Sequence, residues 1–188
     1  MAKLRVGVLV FPKVQQLDLT GPFEVFASLP EAEVRLVWKR LEPIVSATGL
    51  VLTPDLTFAA CPPLDVLCVP GGVGVNPLME DEEVLARLGA VPVRARVVAD
   101  GKFVTGGGVT AGIDMALRVV GELLGRETAE AVQLNLEYAP EPPFASGQPE
   151  TAPAEVVALV RERGRANRAE REAIVGRLEA RRGATAAV

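Results

Sequence analysis

The 188-residue chain has no histidine, only two cysteines, one tryptophan and one tyrosine, and aromatic residues make up 4% of it. Without histidine, Ser-His and Cys-His nucleophile pairs, imidazole general bases and His-rich metal sites are excluded within one chain. Cys61 and Cys68, with six residues between them, fit neither a zinc set nor a CxxC redox pair. No stretch approaches 18 apolar residues, so no membrane partner or span is expected. The amino terminus, Met1-Ala2-Lys3 before a short apolar run, lacks the features of a secretory signal. A cytoplasmic location follows as the expectation, and unpaired cysteines fit it.

What is present describes an ordinary globular protein: 49% hydrophobic and 23% charged residues. The length predicts a single domain over residues 1–188 with one core. A chain of this size buries roughly 70% of its unfolded surface, so it needs no disulfide or metal staple. The net charge of −4 argues against a nucleic-acid partner. Residues 161–188 depart from it with eight Arg against four Glu. This basic C-terminal helical tail, residues 164–188, reads as a solvated face.

Hydrophobic patterning predicts a fully buried strand over residues 4–11, ended by Pro12. Asp18 is expected in the loop after it, with a helix starting at Pro22 and Glu24 near the positive end of that helix. Further strands are expected at 33–38, 50–52 and 65–69, the last closed by Pro70-Gly71-Gly72. A helix is expected at 77–88. Residues 93–98 and 103–105 read as a hairpin across Asp100-Gly101. Helices follow at 109–124, stopped by Gly125, and at 127–138, 154–163 and 166–182, with a proline-rich loop at 139–153. Strands alternating with helices indicate an α/β fold with a largely parallel sheet. In such sheets ligands gather at the carboxyl ends of the strands, which selects the Asp18 segment, the Gly71-Gly72 loop and the Gly106-Gly107-Gly108 turn.

Each of these has a catalytic and a structural reading. Gly71-Gly72 could bring backbone amides to a developing oxyanion or could serve a tight turn. Asp18 could be an acid/base group or could cap a helix, and Glu24 is open in the same way. Residues 105–112, TGGGVTAG, lack the lysine of a phosphate loop and the GxGxxG spacing. Thr110 occupies the nucleophile position of a GxSxG-like elbow, but no base is available to activate it and a helix N-cap is the simpler role. Cys68 inside a buried strand reads as an inert small hydrophobe, and Cys61 before Pro62-Pro63 lacks an activating environment.

Three stretches together resemble the ThiJ/PfpI superfamily, in its isocyanide hydratase branch: Gln16-Leu17-Asp18-Leu19-Thr20-Gly21-Pro22-Phe23-Glu24-Val25-Phe26, then Cys61-Pro62-Pro63-Leu64-Asp65-Val66-Leu67-Cys68-Val69-Pro70-Gly71-Gly72, then Thr105-Gly106-Gly107-Gly108-Val109-Thr110-Ala111-Gly112-Ile113-Asp114. The resemblance implies a flavodoxin-like three-layer sandwich, a homodimer, and no cofactor or metal. It also implies hydration of an isocyanide to an N-substituted formamide through a cysteine nucleophile. Asp18 matches the acidic partner of that cysteine, and Gly71 and Gly72 match the oxyanion-hole loop. Thr20, Glu24, Gly107 and Thr110 are the candidate pocket residues for a small isocyanide-like ligand.

The catalytic cysteine has no matching position. Glu83-Val84-Leu85-Ala86 runs straight into Arg87-Leu88-Gly89-Ala90-Val91-Pro92, where the family has a strand, a sharp turn with the nucleophile and a helix. The sheet is therefore expected to be short by about one βα unit, with residues 93–105 moving in to pair beside residues 65–69. The activity expected is low. An alternative of another class is a non-catalytic sensing or dimerisation module, like the input domain of AraC-type regulators.

Overall fold

The structure, a computed structural model, describes residues 3–78 and 95–185, the side chains as far as Arg177. The described residues form two compact units, residues 3–75 with 95–138 and residues 76–78 with 139–185.

The first unit is built on four parallel strands in the order β5-β2-β1-β6. These are β1 (Leu4–Leu9), β2 (Ala32–Trp38), β5 (Leu56–Thr57) and β6 (Val66–Cys68). In β1 the consecutive residues Val6, Gly7, Val8 and Leu9 are all buried. Successive side chains point to opposite faces, so both faces of this strand are covered, as its unbroken apolar sequence requires. Burial of each such valine contributes about 1.5–3 kcal/mol. β1 pairs with β2 from Leu4↔Ala32 to Leu9↔Val37 and with β6 from Val6↔Val66 to Val8↔Cys68. The short hairpin of β3 (Ile44–Val45) and β4 (Val51–Leu52) stands apart from this sheet.

The helix α1 (Gln16–Ala27) begins six residues before Pro22, so Asp18 sits in its first turn and not in a loop. Pro22 lies inside the helix, where it has no N–H to give to the Asp18 carbonyl. Burial of Leu19, Pro22, Val25 and Phe26 against the unit outweighs that loss. The residue before the helix, Gln15, makes no side-chain cap, which left the true start without a sequence signal. Glu24 consequently lies in the third turn, exposed, and not at the positive end.

The expected hairpin forms as β7 (Val97–Asp100) and β8 (Phe103–Gly106), antiparallel across Gly101, whose φ is +55°. Its expected pairing beside β6 does not occur: among the described residues β6 pairs with β1 alone, and β7-β8 is a separate two-stranded sheet. The Asp-Gly turn satisfies the two strands with each other, and the hairpin rests on α3 (Ala111–Leu124). Helix α3 also packs on α1 and on α4 (Arg126–Asn135), burying Ala111, Ala116 and Val120. Gly125, at φ +92°, ends α3 where the sequence placed its stop.

The second unit contains α2 (Val75–Leu78) from Asn76 onward, α5 (Ala154–Arg163) and α6 (Arg165–Thr185). Asn76 is 1% exposed and fully bonded: its amide nitrogen donates to Asn167 Oδ1 at 2.8 Å and Glu170 Oε2 at 2.7 Å, and its oxygen accepts from Arg171 Nε at 2.9 Å. The helix expected at 77–88 lies outside the described residues beyond Leu78, as does the junction at Ala86-Arg87. Among the described residues no helix is long and apolar enough to cross a membrane.

Candidate functional site

Because β6 lies next to β1, the loop that leaves β6 meets the start of the helix that follows β1, at the carboxyl ends of both strands. Two hydrogen bonds lock this junction. The Gly71 amide donates to Asp18 Oδ2 at 2.9 Å, and the Gln15 amide donates to the Gly71 carbonyl at 2.9 Å. A side chain at Gly71 would place its Cβ 2.7 Å from Asp18 Oδ2, so the carboxylate itself dictates glycine there. Gly72 has φ +124°, and a Cβ on it would sit 2.4 Å from the Gln15 nitrogen. The double glycine thus serves a tight turn, and the Gly71 amide is given to the Asp18 carboxylate.

Asp18 Oδ1 is buried with no hydrogen-bond partner among the described residues. Burial raises the Asp18 pKa above its ordinary value of 3.8, against the opposing effect of the Gly71 amide. A half-desolvated carboxyl with one satisfied oxygen and one bare one, at the ligand end of a parallel sheet, has the character of an acid/base group.

Neither thiol is set up as a nucleophile. Cys68 is the last residue of β6, and burial first, then the negative charge of Asp18, pushes its pKa up to about 12. The sulfur is therefore a neutral thiol at physiological pH. Cys61 is partly exposed in a loop, and its Sγ donates to the Pro62 carbonyl at 3.5 Å. Neither stands on a strand-to-helix turn.

The other candidates are placed as follows. Thr20 lies on α1 one helical step beyond Asp18, half-buried. Gly112 at the start of α3 approaches this turn: a Cβ there would meet Pro22 at 3.2 Å and the Asp18 carbonyl at 3.7 Å. Gly107 and Thr110 are exposed in the segment leading into α3. Thr110 does stand at the N-cap, but its hydroxyl makes no cap bond and accepts instead from Arg96 Nη2 at 3.2 Å. Arg96 also pairs with Asp114, donating from Nε at 2.7 Å, and the Tyr138 hydroxyl donates to the same carboxylate at 3.3 Å. Arg96 had no sequence signal, since a lone arginine before a strand looks like any solvated charge. Among the described residues no three His, Cys, Asp or Glu side chains converge as a metal site needs.

Comparison with known proteins agrees with this geometry. Residues 4–91 match the model of the DJ-1/PfpI family. The chain is 49% identical to an isonitrile hydratase of Pseudomonas putida, with 85% of this chain and 90% of the relative covered. This chain belongs to the DJ-1/PfpI family. A crystal structure of a ThiJ/PfpI family protein from Pseudomonas syringae superposes with a TM-score of 0.88 at 34% identity, covering 94% of this chain and 92% of the other. The crystal structure of Drosophila melanogaster DJ-1beta shares the fold at a TM-score of 0.64 and 18% identity, covering 74% of this chain and all of the other. The mostly parallel sheet flanked by helices is therefore the flavodoxin-like arrangement of the family. The alignment with the isonitrile hydratase extends over 204 positions, more than the chain's own length, whereas 85% of 188 residues is about 160; some 44 aligned positions have no residue from this chain.

Proposed function

We propose that this chain is an isonitrile hydratase-type protein that retains the acid half of the catalytic site and has lost the covalent route. The observation that carries the reading is the pairing of Asp18 with Gly71, one carboxylate oxygen held by an amide and the other without a partner among the described residues, in a chain whose two cysteines are a buried strand residue, Cys68, and a loop residue, Cys61. The positions missing from the alignment with the isonitrile hydratase support it.

Hydration of an isocyanide R–NC forms a C–O bond and gives R–NH–CHO. In a covalent route a thiolate adds to the terminal carbon, an acid protonates that carbon, and water then displaces the thiol. Asp18 can supply the proton, because burial favours its neutral form. The chain offers no thiolate to make the first bond: Cys68 is held neutral by burial, and Cys61 lies in the loop between two strands, β5 and β6, with no helix start behind it. Loss of a nucleophile costs orders of magnitude in rate.

The test is formamide production from an aryl isocyanide by the purified chain and by its Cys61→Ala/Cys68→Ala variant. Equal rates, both close to the solution background, are expected. A rate well above background that collapses on removal of the cysteines would overturn the proposal.

A further inference from the structure

A cavity of about 810 Å³ opens at the carboxyl ends of β1 and β2, with Val73 of the loop after β6 also in its lining. Its size lies within the range of small-molecule sites. Lys13 follows β1 and Arg40 follows β2, so two cations reach its lining from two adjacent strand ends, with Glu42 the one acid among its described residues. This local surplus stands out in a chain of net charge −4 and raises the local concentration of anions. The remaining wall is apolar, with Trp38, Pro43 and Ile44 among its residues. Trp38 packs against two rings, its centroid 6.1 Å from that of Phe11 and 5.8 Å from that of Phe58.

Lys13 is also held in an unfavourable backbone conformation, at φ +59°. Two backbone bonds impose it: its amide donates to the Val45 carbonyl at 2.9 Å, and its carbonyl accepts from the Gly74 amide at 3.2 Å. Glycine would suit that conformation better, so the side chain is kept at a cost to the backbone. Such positions concentrate at ligand sites.

We infer that this cavity is a binding site for a small organic anion, its carboxylate or phosphate held by Lys13 and Arg40 and its apolar body lying against Trp38. Asp18 is not among the described residues that line it. Trp38 is the only tryptophan of the chain, so its emission reports on this cavity alone.

The experiment is a titration of the intact protein, followed by Trp38 fluorescence, with phenyl phosphate, benzoate and the uncharged benzyl alcohol. At least one of the two anions is expected to saturate the signal below about 10 mM, with benzyl alcohol weaker by about tenfold or more. The pair Lys13→Gly and Arg40→Gln removes both charges, the first while easing the backbone, and is expected to weaken anion binding by about tenfold or more. If the double variant melts lower than the parent, Arg40→Gln alone is read in its place. Saturation by phenyl phosphate but not benzoate assigns the anion as phosphate, and the reverse assigns carboxylate. Equal binding of the alcohol, unchanged binding by the variants, or no saturable signal with either anion would overturn the inference.

Discussion

Asp18 concentrates the physics of the site in one side chain. Its carboxyl is favoured as an anion by the Gly71 amide and disfavoured by burial, and burial wins, so the folded pKa is above 3.8. The native state then binds a proton more tightly than the unfolded chain does. Stability falls as pH rises from about 3.8 through the raised folded value, and stays reduced above it. Asparagine can still accept the Gly71 hydrogen bond but carries no charge to desolvate. Asp18→Asn is therefore expected to melt at or above the parent at pH 7, with the difference shrinking as pH is lowered toward 3.8. A variant that melts well below the parent at pH 7, with the deficit shrinking as the pH is lowered, would show that the amide contact outweighs burial. Sequence alone placed Asp18 in a loop, whereas it lies in the first turn of α1. Its surroundings, Gln16 and Thr20 before an internal proline, lack the capping residue that announces a helix start.

At the level of elements, the junction between β6 and α1 depends on backbone atoms more than on side chains. Gly72 packs where a Cβ would collide with the Gln15 nitrogen and the Lys13 carbonyl, and its positive φ strains any other residue. Gly72→Ala is expected to cost more than about 1 kcal/mol and to release Asp18 from Gly71, measured as a lower denaturant midpoint together with faster exchange of the Gly71 amide. Unchanged stability would mean that the loop has another arrangement of equal energy. β3 (Ile44–Val45) and β5 (Leu56–Thr57), two residues each, were not expected, whereas β1 was legible because burial on both faces leaves an unbroken apolar run, as in Val6 to Leu9. The partner of β7-β8 was not. An Asp-Gly turn specifies that two strands meet each other, but carries no information on which sheet they join, and here α3 takes the role expected of β6.

Across the whole molecule, the parallel order β5-β2-β1-β6 brings together residues that are distant in sequence. Asp18 and Gly71 are 53 positions apart, yet meet because β1 and β6 are neighbours. Family membership was readable from the stretches around these two residues. The cavity beside Trp38 was not readable. Lys13 and Arg40 converge only through the strand order, and in sequence each looks like a solvated charge.

The central claim is that no sulfur of this chain attacks an isocyanide carbon. Intact-protein mass spectrometry after incubation with excess aryl isocyanide at neutral pH tests it directly, because a thiolate that adds to the terminal carbon and is protonated there retains the mass of the whole isocyanide. The expected spectrum shows the unmodified chain alone. A species heavier by one isocyanide, with the addition mapped to Cys61 or Cys68, would contradict the claim.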